Sequence, residues 1–395
     1  MNCYSYAVSW QGAAKLLLHF NSINIIEAYD VELHKIQHLK FKYNPKPIFI
    51  QTQNMFKSNL APNGYTRLRL NKNKSFFCEN KDIQSIINYL SIKFNLILIS
   101  RYSNTPKPFK LNKVFTVFNI KLLNFFYFLK FIFSTNKKKK ILIISITPFN
   151  FIIFILLKFF FYCRFYLYLR SNGYEEYEKI LGKRYIWIYD YMFKYMTKFS
   201  EVISCHERLY NKKCHILYPS ELSFSWSKNI KKNNFKNNTI NILYVGRFKI
   251  EKGIYSLLNI FSKLPSNVQL TLVGNGDQIK VTDVRIKIIN FIKNEKQLID
   301  IYDSTNIFIL PSYTEAHPKV IDEALSRMRP VVIFNDIRYV VQNRHGIFSV
   351  NRDSYKLIEV INYIKKNNKF IFKELKKNNL PQKNDFLESL HKIIY

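Results

Sequence analysis

Short apolar runs alternate along this chain with longer segments in which apolar and polar positions recur at helical spacing. Apolar runs of about four to eight residues are typical of buried strands, and strands that alternate with helices indicate a parallel sheet with helices on both faces. The pattern therefore predicts an α/β protein. The predicted strands are Cys3–Trp10, Ile23–Tyr29, Pro47–Thr52, Leu96–Ser100, Ile141–Ile146, Phe165–Leu169, Val202–Cys205, Ile240–Val245, Gln269–Val273, Ile286–Ile292, Ile307–Leu310 and Val331–Phe334.

One polar segment interrupts this alternation. Residues Ser223–Thr239 are rich in Asn and Lys and show no periodicity, which is typical of an interdomain linker. A chain of 395 residues is long enough for two domains. We therefore expect an N-terminal domain over residues 1–222, a C-terminal domain over 240–372 and a tail over 373–395. The predicted helices are Ala13–Phe20, Ile83–Phe94, Phe149–Tyr162, Gly253–Leu264, Gln297–Asp303, Pro318–Met328, Tyr355–Lys365 and Asp385–Ile394.

Two carboxylates flank the start of one predicted helix. Glu315 lies in the loop that follows the strand Ile307–Leu310, and Glu323 lies eight residues later, inside the helix. The N–H groups of the first turn, near Lys319 and Val320, point to the same space. Amides and the helix dipole suit a phosphate group, and carboxylates suit sugar hydroxyls. Two glutamates alone are most often solvated residues of an ordinary helix, so the neighbouring motifs decide between these interpretations.

The segment P-S-Y-T-E-A-H-P-K-V-I-D-E-A-L, which contains Glu315 and Glu323, resembles the signature of family 4 glycosyltransferases, the retaining group with the GT-B fold. Two upstream segments support the same resemblance. Val245–Gly253 is similar to that family's V-G-R…K-G element, and Leu272–Gly276 resembles its V-G-x-G element. The three segments occur in the family's order and cover roughly Asn241 to Gly346.

The resemblance implies a fold, a reaction and a substrate. The fold is GT-B, an α/β class with two Rossmann-like doubly wound domains that face each other across a cleft. The reaction is transfer of a sugar from a nucleotide-diphosphate sugar, such as a UDP- or GDP-sugar, to an acceptor hydroxyl with retained anomeric configuration. The N-terminal domain would bind the acceptor and the C-terminal domain the nucleotide-sugar. No metal and no cofactor is implied, and the sequence lacks the Asp-x-Asp motif of the metal-dependent GT-A class.

The resemblance also implies roles for individual residues. Arg247 and Lys252 would stabilise the negative charge that develops on the leaving nucleoside diphosphate. Glu323 would accept hydrogen bonds from the ribose, and Glu315 would orient and stabilise the donor sugar without attacking it. No side chain stands out as the catalytic base. The other expected contacts of the nucleotide-sugar are Gly246, Gly274, Gly276, Ala316, His317, Lys319 and Val320.

Several positions depart from the family's pattern. Ala316-His317 replaces the common Gly-Phe, which leaves open whether His317 changes which sugar hydroxyls the site recognises. Met328-Arg329 occupies the usual helix-ending glycine region, and Asn172-Gly173 stands where many members have a histidine. A further histidine, His206, follows a predicted strand, where either a cleft position or a structural role suits it. The pair Cys205-His206 does not have the spacing of a common zinc site.

The formal net charge is +34, and the lysines are scattered along the chain. Such a charge suggests nucleic acid, anionic membranes or anionic ligands as partners, but no zinc finger, aromatic RNA-binding motif or basic repeat supports nucleic acid. The apolar segment Val114–Phe133 and the basic run Lys137–Lys140 permit either membrane insertion or a soluble strand–helix–strand unit. The alternating pattern favours the soluble unit, so we expect peripheral contact of residues 114–140 with an anionic membrane.

Cysteine usage and the N-terminus bear on the compartment. Five scattered cysteines without a C-x-x-C pair, and no secretory signal, indicate the cytoplasm, with contact at the cytoplasmic face of a bacterial inner membrane. The acceptor would then be a glycan or lipid-linked intermediate of cell-surface polysaccharide, lipopolysaccharide or glycolipid synthesis. Two alternatives stay open: a catalytically inactive nucleotide-binding relative, and a polyanion- or membrane-binding protein.

Overall fold

The structure is a computed structural model. It describes residues 48–58, 75–78, 80–94, 96–102, 108–111, 116–118, 139–235, 239–277, 279 and 281–395. The first two predicted strands, the helix Ala13–Phe20 and most of the segment 114–140 lie outside these residues. The chain divides into two compact units. Unit 1 contains residues 1–169, 173–203 and 394, and unit 2 contains residues 170–172, 204–393 and 395.

The described strands of unit 1 form a mixed sheet with a parallel centre. In this sheet β1 pairs in parallel with β3 and β6, β3 with β5, and β6 with β7, while β2 runs antiparallel to both β1 and β4. The parallel centre confirms the predicted α/β class, and the antiparallel β2–β4 ribbon was not predicted. The strands are β1 Ile48–Ser58, β2 Ser75–Cys78, β3 Leu96–Tyr102, β4 Phe109–Lys110, β5 Thr116–Phe118, β6 Lys139–Ile144, β7 Cys163–Leu169 and β8 Glu201–Ser204.

Strand β1 is longer than predicted because it changes neighbours along its length. Residues Ile48–Thr52 pair in parallel with β3, and Met55–Ser58 pair antiparallel with β2, with a register shift between Thr52 and Met55. Such a shift bends a strand and lets it serve two different partners. The predicted end at Thr52 coincides with this register shift, beyond which the antiparallel pairing with β2 begins.

The helices of unit 1 follow from capping and from apolar spacing. Helix α2 begins at Pro148, where a missing N–H costs nothing, and the side chain of Thr147 accepts a hydrogen bond from the Asn150 N–H at 3.1 Å. Its buried Ile153, Phe154 and Leu157 lie on one helical face. The helices are α1 Lys81–Lys93, α2 Pro148–Phe160, α3 Gly173–Leu181 and α4 Ile186–Lys198, with a 3-10 turn at Lys183–Tyr185.

Two lysines of the predicted basic run are buried. Lys139 and Lys140 belong to β6, and the side chain of Lys140 donates a hydrogen bond to Ile394 O at 2.7 Å. The ammonium of Lys139 lies 4.8 Å from the ring centre of Phe161. These two lysines therefore do not face a lipid surface, and the prediction that they contact a membrane is wrong. Within the described ranges, no helix is both long enough and apolar enough to cross a membrane.

Unit 2 contains a six-stranded parallel sheet with the order β12-β11-β10-β13-β14-β15. Read in chain order, this is the 3-2-1-4-5-6 arrangement of doubly wound nucleotide-binding folds. The predicted strands of this region are confirmed, although β12 is shorter than predicted and β15 was not predicted. The strands are β10 Ile240–Val245, β11 Val268–Val273, β12 Ile286–Ile289, β13 Ile307–Leu310, β14 Val331–Phe334 and β15 Ile347–Val350, and a two-residue strand, β9 His215–Ile216, precedes them.

Apolar residues of these strands and of the helices beside them form one continuous core in unit 2. Strands β13 and β14 are buried at every position, as expected for central strands covered on both faces. The helices are α5 Ile254–Phe261, α6 Glu295–Asp303, α7 Lys319–Ser326, α8 Ser354–Lys366, α9 Asn368–Leu375 and α10 Lys383–Ile394. Short 3-10 turns lie at Glu207–Leu209, Phe224–Ser227, Ile250–Lys252 and Asn335–Val340.

Helix α7 ends two residues earlier than predicted, without the usual glycine. Met328 adopts a φ of 56°, the left-handed conformation that a helix-ending glycine would provide. The N–H of Arg329 then donates to Ala324 O at 2.9 Å, which satisfies a carbonyl of the last turn. A non-glycine residue in this conformation costs about 1–2 kcal/mol, so surrounding contacts must hold it.

The predicted linker is fixed to unit 2 through a buried arginine. Trp226 is buried in a 3-10 turn, and the Arg327 guanidinium donates to the carbonyls of Trp226, Lys228 and Asn229 at 2.7–3.0 Å. Arg327 also pairs with the Asp303 carboxylate at 2.6 Å. The lack of periodicity in this segment is therefore compatible with a defined conformation, because its carbonyls are bound by a side chain from elsewhere in the chain.

Gly253 is predicted not to tolerate a side chain. Its φ is 70°, and a Cβ atom there would overlap the carbonyl oxygen of Pro311. Gly346 is the matched control in the same unit, because its φ is 82° but its Cβ would meet the end of the Leu375 side chain. In urea titrations we expect Gly346→Ala to lower the free energy of unfolding by about 1–3 kcal/mol and Gly253→Ala by more than about 4 kcal/mol. Equal losses would contradict the close backbone contact.

Candidate functional site

The strand order of unit 2 brings two loops together. Strands β10 and β13 are neighbours, but the chain continues from β10 to β11 on one side and from β13 to β14 on the other. Ligands of open parallel sheets bind beyond the carboxyl ends of the strands, where the strand order reverses. The loops that follow β10 and β13 are residues 246–253 and 311–318, and they contain most of the predicted site residues.

Glycines allow the loop after β10 to lie against the loop after β11. Gly274 has a φ of 154°, and a Cβ there would overlap the carbonyl oxygen of Gly246. The contact continues in the next residues, because Phe248 forms an isolated bridge with Gly276 and its N–H donates to Asn275 O at 2.8 Å. The structure therefore brings the three predicted glycines together.

Glu315 and Lys252 form an ion pair between the two loops. The Lys252 ammonium lies 2.6 Å from Glu315 Oε1, and the side chains are only 21% and 12% exposed. The Ser312 hydroxyl donates to the same carboxylate oxygen at 2.7 Å. Two predicted site residues from separate motifs are thus in contact at the switch point, the place where the strand order reverses. Ser312 fixes the carboxylate of one of them.

The backbone around Glu315 is held by residues that follow β14 and β15. The Glu315 N–H donates to the Tyr339 hydroxyl at 3.1 Å, and that hydroxyl donates to Glu315 O at 2.6 Å. The Arg352 guanidinium donates to Pro311 O at 2.9 Å and to Ser312 O at 3.3 Å. A carboxylate on a loop restrained in this way is preorganised, which is what electrostatic catalysis requires.

Glu323 lies in α7 and accepts a hydrogen bond from a buried tyrosine. The Tyr302 hydroxyl donates to Glu323 Oε2 at 2.9 Å. Burial, followed by the charge of Glu323 and this hydrogen bond, raises the pKa of Tyr302 well above its usual value. Tyr302 therefore remains a neutral phenol at any pH that the protein would meet, and it always offers its proton to the carboxylate.

Arg247 is the most exposed of the predicted charged site residues. Its guanidinium is 61% exposed and lies 3.7 Å from the Glu251 carboxylate, a distance at which an exposed pair contributes little. Its backbone is better fixed, because the Tyr244 hydroxyl donates to Arg247 O at 2.7 Å. The structure thus places the Arg247 side chain beside Glu251, while Lys252 is the cation in contact with Glu315.

The start of α7 includes a buried polar chain that the sequence did not predict. Pro318 is the cap residue and Lys319 the first helical residue, one position later than predicted. His317 Nε2 lies 3.1 Å from Asp322 Oδ2, and Arg344 Nη1 lies 2.6 Å from Asp322 Oδ1. Burial tends to raise the pKa of Asp322, but its bonds to His317 and Arg344 outweigh burial and lower it. Asp322 is therefore an ionised carboxylate in the folded protein.

Sequence reasoning missed the residues that support the predicted ones. Ser312 lies two residues after the end of a buried strand, and a buried polar residue in that place is a usable signal. Tyr302 could be found only as the aromatic end of the apolar face of α6. Tyr339 and Arg344 lie more than twenty residues from the groups that they bind, and no local pattern points to them. Among the described residues, no group of three or more His, Cys, Asp or Glu side chains is arranged to hold a metal ion.

Comparison with known protein families finds one model that matches, Glycosyl transferases group 1, over residues 227–380. A candidate teichuronic acid biosynthesis glycosyltransferase of Bacillus subtilis, TuaC, is 32% identical over 90 residues, which are 23% of this chain and 23% of that protein. An uncharacterized glycosyltransferase of Haemophilus influenzae is 30% identical over 120 residues, covering 27% of this chain and 34% of that protein. The chain thus spans about a quarter to a third of the length of these curated relatives.

Solved structures match over a larger part of the chain. Sucrose-phosphate synthase from Thermosynechococcus elongatus has a TM-score of 0.61 at 15% identity, covering 88% of this chain and 98% of that one. HepE of Anabaena, solved with UDP-glucose, has a TM-score of 0.59 at 13% identity, covering 88% and 98%. WaaG, a glycosyltransferase involved in lipopolysaccharide biosynthesis, has a TM-score of 0.58 at 13% identity, covering 88% and 99%. At such identities these matches show the fold alone.

The family match and the structural matches confirm both the resemblance and the fold class predicted from the sequence. This chain therefore carries a domain of the Glycosyl transferases group 1 family, which is glycosyltransferase family 4, on an α/β fold of the GT-B class.

Proposed function

We propose that this protein is a retaining glycosyltransferase that moves a sugar from a nucleotide-diphosphate sugar to an acceptor hydroxyl. The observation that carries the proposal is the preorganised Glu315–Lys252 pair beside the first turn of α7, at the switch point of a doubly wound sheet. The second glutamate of the motif, Glu323, lies in α7 and accepts a hydrogen bond from Tyr302 of α6. A relative in fold, HepE, was solved with UDP-glucose, which agrees with a sugar nucleotide as the donor.

The diphosphate would lie between cations and backbone amides. An ammonium has three donors, so Lys252 can keep its bond to Glu315 and still donate to a phosphate oxygen. Arg247, which is exposed and only loosely paired, can turn toward the same phosphates. The backbone N–H groups of the first turn, at Lys319 and Val320, add the positive end of the α7 dipole. These groups together stabilise the charge of the leaving nucleoside diphosphate.

The remaining groups of the donor, the ribose and the transferred sugar, would contact residues of the loops and of α7. Glu323 would accept hydrogen bonds from the ribose hydroxyls, with Tyr302 fixing one of its oxygens. The glycines Gly246, Gly274 and Gly276 would allow the backbone to approach the nucleotide closely. Glu315, with the amides of Ala316 and His317, would orient the transferred sugar.

Glu315 would stabilise charge and would not act as a nucleophile, because the two donors Lys252 and Ser312 both bond to its Oε1 and lower the electron density of the carboxylate. In the transfer step the bond from the sugar carbon to the diphosphate oxygen breaks. The acceptor oxygen forms its bond to that carbon on the same face, and the acceptor proton passes to the leaving phosphate. This step needs no protein base, in agreement with the lack of an obvious one in the sequence.

We propose that the acceptor is a glycan or a lipid-linked intermediate of cell-surface polysaccharide, lipopolysaccharide or glycolipid synthesis. The teichuronic acid and lipopolysaccharide proteins to which the chain is similar support this class of acceptor. Residues 1–222 would bind the acceptor, residues 240–372 the donor, and the tail 373–395 would pack back on the N-terminal domain. The protein would work in the cytoplasm at the inner face of the membrane.

An aromatic face of unit 1 supports a peripheral membrane contact. Phe159, Tyr162 and Trp187 are 81%, 86% and 66% exposed. The ring centres of Phe151 and Tyr191 lie 5.8 Å apart, so α2, which ends beside Phe159 and Tyr162, packs against α4, which contains Trp187. Exposed aromatic rings insert at the headgroup level, and neighbouring cations bind anionic lipid. The basic residues of the same helices and of the 3-10 turn are Lys158, Lys183, Arg184, Lys194 and Lys198.

Membrane contact can be tested with vesicles of phosphatidylglycerol and phosphatidylcholine. We expect the triple variant Phe159→Ser, Tyr162→Ser, Trp187→Ser to sediment with these vesicles about tenfold less, since each buried aromatic contributes to partitioning. The matched control is Tyr355→Ser with Phe370→Ser, which removes two exposed aromatics of unit 2. If both variants bind as the wild type does, the aromatic face is not the contact.

Removal of Lys252 should impair turnover. A charge-assisted hydrogen bond contributes about 1.5–3 kcal/mol, so we expect Lys252→Ala or Arg247→Ala to lower kcat/KM by about 10–100-fold in initial-rate assays. Lys249→Ala is the matched control, because Lys249 lies in the same loop but pairs with Asp277 at 2.7 Å. We expect the control to lose less than about threefold. Wild-type activity in Lys252→Ala would rule out its proposed role.

The donor site itself can be tested by thermal stabilisation with UDP, GDP, ADP and dTDP. A ligand at 100 times its Kd stabilises a protein by about 2.7 kcal/mol, so one base should raise the Tm measurably. Glu323→Ala should lose this shift. Glu359→Ala, at an exposed ion pair of α8, should keep it. A shift without sugar transfer would indicate the inactive relative, and no shift with any nucleotide would contradict the proposed donor site.

A further inference from the structure

An arginine outside the two donor loops contacts the residue that holds the backbone of Glu315. The guanidinium carbon of Arg208 lies 3.9 Å from the ring centre of Tyr339. The hydroxyl of the same ring accepts the Glu315 N–H at 3.1 Å and donates to Glu315 O at 2.6 Å. A guanidinium at this distance from an aromatic face is held by cation–π attraction. One ring therefore separates the charge of Arg208 from the loop that carries Glu315.

The backbone of Arg208 is fixed by a capped 3-10 turn, and its side chain is open to solvent. The turn Glu207–Leu209 follows β8, and His206 Nδ1 accepts the Arg208 N–H at 3.1 Å. The Ser204 hydroxyl donates to His206 O at 2.7 Å, which ties the start of the turn to the end of the strand. Arg208 itself is exposed. A ligand can therefore reach a guanidinium whose backbone and ring contact are both defined.

The N–H donors of Arg208 have no oxygen acceptor among the described residues. An aromatic ring attracts the charge of a guanidinium but does not replace the oxygen acceptors that its five N–H groups prefer. Two other arginines near Glu315 differ in this respect. Arg344 binds the Asp322 carboxylate at 2.6 Å. Arg352 binds the Asp336 carboxylate at 2.7 Å and two loop carbonyls. Arg208 thus keeps its hydrogen-bonding capacity for a ligand.

The charge of the surrounding segment indicates the class of that ligand. Residues 207–213 contain three cations, Arg208, Lys212 and Lys213, against one carboxylate, Glu207. Within the part of the chain that the structure describes, Glu207 forms no ion pair with Arg208. A planar guanidinium binds a carboxylate or a phosphate through two parallel hydrogen bonds, which are stronger than bonds to neutral oxygen. The segment therefore suits an oxyanion.

We propose that Arg208, with the ring of Tyr339 as its platform, binds an anionic group of the acceptor, a phosphate or a carboxylate. This inference rests on the proposed function, because it requires sugar transfer at Glu315. The donor diphosphate has its own cation there in Lys252, whereas Arg208 belongs to residues 1–222, which would bind the acceptor. An acceptor hydroxyl that attacks a sugar at Glu315 must lie beside the loop that Tyr339 holds. The acceptor is then an acidic or phosphorylated glycan and not a neutral one.

The test measures the affinity of matched neutral and anionic sugars by calorimetry at low ionic strength. The protein is first saturated with the nucleoside diphosphate that stabilises it, so that the donor phosphate site is filled. The probes are glucose, glucose 6-phosphate and glucuronate, the three corresponding galactose compounds, and inorganic phosphate. We expect the phosphate or the carboxylate member of one set to bind about tenfold or more tightly than the neutral sugar. Which of the two gains identifies the anionic group.

Five variants separate the anion contact from the support of Glu315. Arg208→Gln should abolish the preference for the anionic sugar, an about tenfold loss, with the affinity for the nucleoside diphosphate unchanged. Arg208→Lys keeps the charge without the fork and should keep part of the preference. Tyr339→Phe keeps the ring and should keep the preference, whereas Tyr339→Leu removes the platform and should lower it. The matched control is Arg338→Gln, an exposed arginine next to Tyr339 in sequence, which should change nothing.

Three results would overturn the assignment of Arg208. A wild type that binds anionic and neutral sugars alike, or binds none of them, has no anion site for the acceptor. Equal losses of nucleoside diphosphate and anionic sugar in Arg208→Gln would place the arginine in the donor site. Inorganic phosphate that binds as tightly as the sugar phosphate would mean a site for the free ion only. A wild type that binds no nucleoside diphosphate would instead refute the proposed donor site, and the role of Arg208 with it.

Discussion

The site of unit 2 depends on the contact between Lys252 and Glu315. These residues come from loops that follow two neighbouring strands, and their charges lie 2.6 Å apart with little exposure to solvent. A partly buried ion pair loses solvation and is weak evidence for stability, so its value lies in position. The left-handed turn at Gly253 permits this position, because it lets the first loop lie against the carbonyl of Pro311. Ser312 and Tyr339 then fix the carboxylate and its backbone.

A second buried charge cluster connects the polar segment before β10 to the helices of the site. Arg327 and Arg329 approach Asp303 at 2.6 and 3.7 Å, and both donate to backbone carbonyls. Burial lowers the pKa of Arg329 to about 10, although Asp303 opposes this shift. Arg329 binds the carbonyl of Tyr302, whose hydroxyl holds Glu323. The connecting segment and the second motif glutamate therefore share one hydrogen-bonded network.

The parts of the fold that sequence predicted well are those governed by neighbouring residues. Strands β10 to β14 and the glutamate and lysine motifs follow from local apolar runs, turn residues and their spacing. The wrong or missing predictions concern features that depend on contacts between residues distant in sequence. The basic run at Lys139 and Lys140 looks like a solvated surface until β6 is paired on both sides and Ile394 supplies an acceptor. The antiparallel ribbon beside β1 and the polar partners of Glu315 depend likewise on long-range pairing.

The candidate site likewise combines residues that lie together in sequence motifs with residues that are remote in sequence. Lys252, Glu315 and Glu323 lie in compact motifs, so the resemblance to a family could transfer their expected roles. His206, Tyr339 and the partners of His317 come from segments that are remote in sequence, and their hydrogen-bond polarity exists only in the folded chain. The replacement of a common aromatic by His317 adds a polar ring that needs Asp322 to hold it. A family motif therefore identifies the charged residues of the candidate site, while the groups that fix their orientation come from segments that the motif does not contain.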